Sequence, residues 1–152
     1  MIAFKERLFS FFGVKPKPAN IVPLAKVPTR AQIVRLENEM RKCEQIHIEP
    51  VHHFANGVYA REITIPAGTL LTGKVHKTEH LNIISQGRIT VWTEDGMKTV
   101  EAPYTIVSRP GTKRVGLAHT DTVWTTIHGT HERDLGRLEA ELIESEDLLC
   151  HG

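Results

Sequence analysis

The chain has 152 residues, of which 40% are apolar and 24% charged, with a formal net charge of +1. That length holds one compact domain with arms rather than two separate cores. The composition excludes a disordered chain, which carries fewer apolar residues and a larger net charge. Cys43 and Cys150 stand far apart without metal-ligand spacing, which excludes a disulfide framework or zinc ribbon and fits a reducing compartment.

At the N-terminus Phe4, Leu8, Phe11 and Phe12 recur at helical spacing, which predicts a short amphipathic helix ended by Gly13. The apolar run Leu8 to Val14 is too short to span a bilayer and has no small-residue cleavage site after it, so a cytoplasmic protein without a transmembrane segment is expected. Lys15 to Pro28 contains Pro16, Pro18, Pro23 and Pro28, a density that favours extended chain and predicts a linker or strap. Thr29 and Gln32 have the spacing of a capping box, and Ile33, Leu36, Met40 and Cys43 follow in a narrow stripe. A helix is predicted here, lying on the barrel or pairing with its copy in a dimer. The arm's cations are Lys5, Arg7, Lys15, Lys17, Lys26 and Arg30. They are scattered without interleaved RNA-reading motifs, so solvation is expected rather than nucleic-acid binding.

From about Gln45 the hydrophobic period changes to two, and turn signals recur about every 8 to 12 residues, among them Asn56-Gly57, Gln86-Gly87, Asp95-Gly96 and Pro110-Gly111. His52-His53 fall before the first strand, in a predicted loop. Strands are predicted over Val58–Ile65, Leu70–His76, Leu81–Ser85, Arg88–Thr93, Lys98–Ala102, Tyr104–Ser108, Thr112–His119 and Thr122–His128. Strands this short and this regular imply an antiparallel sandwich or barrel. The last segment, Glu132 to Leu149, places Leu135, Leu138, Leu142, Ile143 and Leu149 in helical register against an acidic opposite face. The domain plan is therefore an arm over 1–46, a β-barrel over 47–130 and a C-terminal acidic helix over 131–152.

Two segments carry candidate chemistry. One is Gly73-Lys74-Val75-His76-Lys77-Thr78-Glu79-His80 running on to Gly87; the other is Arg109-Pro110-Gly111-Thr112-Lys113-Arg114. Together they resemble the two conserved motifs of the cupin superfamily, over roughly residues 58 to 128. The resemblance implies a cupin-like antiparallel β-barrel, or jelly roll. With Gly87 setting the register, the family's metal-ligand positions fall on Lys74, His76, His80 and Arg114. A divalent metal in that family takes three imidazoles and a carboxylate, whereas two of these four positions hold cations, which repel a divalent ion. Small cupin-domain proteins of tailed phages are the relatives it resembles most, which implies a structural or accessory role in the host cytoplasm or virion.

His76 and His80 then admit three readings: ordinary polar residues at a barrel mouth, ligands of a small polar, anionic or sugar-like molecule together with Lys74 and Arg114, or metal ligands. In the last case Glu79, His119 or His128 completes the set, with Glu79 the first candidate. His128 shares strand parity with Trp124 and Thr126, a face that either lines the pocket or covers a helix. Trp92 and Trp124 are read as core or interface anchors. No nucleophile constellation or phosphate loop is present.

The overall expectation is a non-enzymatic binding or assembly protein with no cofactor. It self-associates as a dimer or higher oligomer through its helical arms, and the N-terminal arm is open to a protein partner. The alternative is a metal-dependent isomerase, dioxygenase or lyase using His76 and His80.

Overall fold

The structure is a computed structural model that describes residues 1–5 and 27–145. The period-two stretch forms strands where expected, with β3 (Val58–Ile65), β6 (Arg88–Thr93) and β8 (Tyr104–Ser108) matching the predicted limits. Around them lie β1 (Ile2–Lys5), β2 (Val51–Ala55), β4 (Thr69–Thr72), β5 (His80–Gln86), β7 (Gly96–Glu101), β9 (Val115–Ala118) and β10 (Thr122–Gly129). Two helices, α1 (Arg30–Met40) and α2 (Leu135–Leu142), flank the strands.

All pairings are antiparallel, and they build two five-stranded sheets. One has the order β1-β4-β9-β6-β7 and the other β2-β3-β10-β5-β8. From β3 to β10 the chain changes sheet at every connection except the β6–β7 hairpin. This is the strand order of a jelly roll, two Greek keys folded into facing sheets. Alternation places Ile63, Ile65, Ile84 and Trp124 from one sheet against Leu71, Ile89, Val91 and Ala118 from the other, and these residues form the core.

Glycine is required at position 87. Its φ is +87°, and a Cβ there would lie 2.3 Å from the backbone oxygen of Asp121. The β6–β7 hairpin forms one residue earlier than its Asp95-Gly96 signal suggests. Thr93 pairs with Gly96 across a turn centred on Glu94 and Asp95, and Gly96 carries the positive φ.

The predicted capping box is present. Thr29 accepts a bond from the Gln32 backbone N–H, and the Gln32 side chain accepts one from the Thr29 N–H. The stripe of α1 faces inward, with Ile33, Leu36 and Met40 packing on Ile2 and Val115 and with Leu70, Cys43 and Trp92 alongside. A buried ion pair reinforces this docking, because Glu37 Oε1 accepts from Lys113 Nζ at 2.9 Å and from Thr72 Oγ1 at 2.7 Å. At the other end Asp134 caps α2, and Leu138 and Leu142 bury against Tyr59.

Three expectations change. The N-terminal residues are a strand rather than the start of a helix. Ile2–Lys5 pairs with β4, because the edge of an existing sheet supplies partners for every backbone group, whereas a short helix must nucleate alone. The 1–46 arm is thus joined to the sandwich from its first residues; the rest of the predicted Phe-rich helix and most of the Pro-rich linker lie outside the described residues. His52 and His53 belong to strand β2, where His52 Nδ1 hydrogen-bonds the Tyr59 hydroxyl at 2.7 Å. The strand predicted over Leu70–His76 ends at Thr72, because Val75 and Lys77 turn to bond the end of α2: Glu144 N–H donates to Val75 O and Lys77 N–H to Leu142 O. Among the described residues no helix is long and apolar enough to cross a membrane.

Candidate functional site

His80 opens β5 and alternates inward with Asn82 and Ile84. Its Nδ1 lies 2.9 Å from the Thr78 carbonyl oxygen. A carbonyl only accepts, so Nδ1 carries the proton and Nε2 presents a lone pair. That Nε2 is buried and has no hydrogen-bond partner.

His128 reaches the same place from β10, on the inward parity it shares with Trp124 and Thr126. His76 stands in the loop after β4. An isolated bridge to Ile143 holds it on one side, and on the other its carbonyl accepts the Gly111 N–H at 2.9 Å, so the Arg109-Pro110-Gly111 turn fixes the histidine's backbone. His76 Nδ1 and His128 Nε2 are 3.0 Å apart. The ring centroids of His76 and His80 are separated by 4.3 Å, those of His80 and His128 by 4.7 Å and those of His76 and His128 by 4.9 Å.

One nitrogen from each ring lies within 4.8 Å of the others. Imidazole nitrogens sit about 2.0–2.1 Å from a zinc-like ion, so small side-chain rotations bring these three onto one metal. Their ionisation favours this. Burial, then the neighbouring His80 and His128 and the Arg114 and Arg61 cations, pushes His76 down to about 3. Burial, then His80, lowers His128 to about 4, and burial also lowers His80. All three are neutral near pH 7, with lone pairs available for a metal. The donor set therefore fits a divalent transition metal, and the backbone carbonyl that orients His80 is the kind of outer partner such ligands use.

The structure brings together His76 and His80 of the expected set, but Glu79, expected as the third ligand, is exposed and outside the group, because strand parity at the start of β5 turns it outward from His80. His128 takes that place. His119 is also elsewhere, bonded to Thr90 Oγ1 at 2.6 Å. Lys74 does not oppose a cation freely, since its ammonium pairs with Glu139 of α2. Arg114 is part-buried, and burial pushes it down to about 10; its guanidinium donates to Ser108 Oγ. Ser108 also accepts from Asn82 Nδ2 at 2.6 Å, and Asn82 Oδ1 in turn accepts from Trp124 Nε1 at 2.9 Å and Thr126 Oγ1 at 3.0 Å. This relay was not anticipated. Inward parity on β5 and β10 was its sequence signal, but Ser108 came from a neighbouring strand whose register only the fold supplies.

His76, His128, Arg114 and Asn82 line a cavity of about 380 Å³ between the sheets. Ile63, Leu71, Ile89, Val91 and Trp124 give it an apolar floor, and α2 covers one side through Leu138 and Leu142.

No family model and no curated protein matches this sequence. Solved structures similar to it include a cupin-2 domain-containing protein from Shewanella frigidimarina, with 14% identity, covering 62% of this chain and 92% of that one at a TM-score of 0.47. An RmlC-like cupin with a double-stranded β-helix fold from Methanocaldococcus jannaschii gives 14% identity, 55% and 82% coverage and a TM-score of 0.45. KdgF from Halomonas sp. gives 14% identity, 57% and 82% coverage and a TM-score of 0.49. By its own strand order this chain has the cupin-like jelly-roll fold, with a three-histidine cluster of which His76 and His128 line the cavity.

Proposed function

We propose that this chain is a binding protein in which His76, His80 and His128 hold a divalent transition metal beside a cavity that takes a small polar or anionic molecule. One observation carries this reading: the buried Nε2 of His80, with its tautomer set by the Thr78 carbonyl, has no hydrogen-bond partner, in a ring whose centroid is 4.3 Å from that of His76 and 4.7 Å from that of His128. A buried polar atom left unpaired costs about 1–3 kcal/mol, which a metal bond would recover. A metal held by three protein ligands supplies a Lewis-acid centre with an open coordination position. The chain's own residues orient the imidazoles and, through the apolar floor, limit water around them.

The reading is tested by elemental analysis of protein purified from metal-replete medium. About one zinc-, iron-, nickel- or manganese-class ion per chain is expected, and less than a tenth of that in a His80→Ala, His128→Ala variant with the wild-type circular dichroism spectrum. Metal-free wild type, or a variant that keeps its full metal content, overturns it.

A further inference from the structure

The cavity holds more positive than negative charge. Arg61 projects into it from β3, in register with Thr126 of β10, which is itself opposite Asn82 of β5. Arg114 enters from the other sheet's side, just before β9. Among the described residues neither guanidinium has a carboxylate at ion-pairing distance. Arg114 donates to a serine hydroxyl, and Arg61 makes no side-chain hydrogen bond. Glu139, which also lines the cavity, is already bonded to Lys74. Glu139 also acts on Arg61 electrostatically, so one carboxylate answers Lys74 and Arg61 together and Arg114 lies beside no carboxylate of its own. Withdrawing cations from water with less counter-charge than they carry is costly, so a cavity lined by these groups is matched to an anion that arrives with its ligand.

The rest of the wall limits the kind of anion. Ile63, Leu71, Ile89, Val91 and Trp124 offer no hydrogen bonds to a sugar-like body, since the Trp124 N–H is spent on Asn82. The planar fork of arginine pairs with the two oxygens of a carboxylate. Arg114 is also held in place before any ligand arrives, by the chain Ser108–Asn82–Trp124, so little side-chain entropy remains to be lost on binding.

We infer that the cavity binds a small organic carboxylate with an apolar body, its carboxylate received by Arg114 and Arg61 and its body by the floor around Trp124. This rests on the proposed function only in taking the cavity as the ligand site, and it holds with or without a metal on the histidines. The neighbouring imidazoles would then place any bound metal near the carboxylate end, because His76 and His128 line the same cavity as Arg114.

The test is calorimetric titration of metal-stripped wild type with hexanoate, with acetate and with hexan-1-ol, repeated on Arg114→Gln and Arg61→Gln. Hexanoate is expected to bind at least about tenfold more tightly than either acetate or hexan-1-ol, the first comparison reading the apolar body and the second the charge. In each arginine variant the preference for hexanoate over hexan-1-ol should fall to within about twofold while hexan-1-ol affinity holds, which also reports an intact cavity. Should one variant fail to fold, the other gives the same reading. Equal affinities in wild type, or a preference that survives in a folded arginine variant, overturn the inference. Because the protein is metal-stripped throughout, an absence of metal in the elemental analysis leaves this result standing, and a failure here leaves the metal reading standing.

Discussion

At His80 one backbone carbonyl decides the chemistry of a side chain: by accepting the Nδ1–H hydrogen bond, Thr78 leaves the buried Nε2 lone pair unpaired in a ring packed beside His76 and His128. The three rings are kept neutral first by burial, helped at His76 and His128 by neighbouring histidines and at His80 by Arg114, and the same effect has a consequence for stability. Their folded-state values, about 3 for His76, about 4 for His128 and lowered for His80, lie below the ordinary 6.5 of an unfolded chain. Below that value the unfolded chain binds protons that the folded protein refuses, so stability is fully present above pH 6.5 and is lost as pH falls toward the folded values. Arg114 and Arg61 face the cluster and carry their charge throughout this range. In metal-stripped protein the urea midpoint is expected to drop between about pH 7 and pH 5, above the range in which most carboxylates titrate. A His76→Gln variant should show a shallower drop, and an equally steep one would remove His76 from the cause.

At the scale of the element, α1 shows how an amphipathic stripe and one buried charge divide the work of docking. Ile33, Leu36 and Met40 supply apolar burial against Ile2 and Val115, while Glu37 must meet Lys113, whose side chain is only 4% exposed. Removing one partner leaves the other charged and buried, so Glu37→Ala is expected to cost about 3–5 kcal/mol in urea unfolding. Replacing both, as Glu37→Met with Lys113→Met, should restore most of that loss. If the single variant costs less than about 1 kcal/mol, the pair contributes little to holding the helix. The capping box and the stripe of α1 were legible in sequence because they are local, set by residues three and four apart. The acceptor for Lys113 was not, since it lies on a helix remote in the chain. At the other end α2 follows the same logic: Leu138 and Leu142 were legible as a face, whereas the pairing of Val75 and Lys77 with the end of that helix emerged only from the folded chain.

The whole molecule is built from distant partners, with Tyr59 of β3 opposite His128 of β10 and the two sheets exchanging strands at almost every connection. Such non-local pairing makes folding slow and cooperative. Refolding from urea, followed by the fluorescence of buried Trp124 and part-buried Trp92, is expected to take roughly milliseconds to seconds, with the fluorescence and far-UV dichroism transitions coinciding at equilibrium. Transitions that separate would show that one sheet or helix melts alone. Period-two alternation and recurring turn residues by themselves determined an antiparallel sandwich or barrel, and the resemblance carried by the segment running to Gly87 and by Arg109 to Arg114 narrowed it to a jelly roll. The sequence also singled out His76 and His80 as candidates, because both lie in one short segment that carries the resemblance, while leaving their chemistry open among three readings. Tertiary structure alone decided that His128 rather than Glu79 stands with His76 and His80, that Lys74 is answered by Glu139 and that Arg61 and Arg114 share one cavity. Alternation tells which face of a strand a residue takes. Which strands are neighbours, and so which inward residues meet, is set by the order of the sheets.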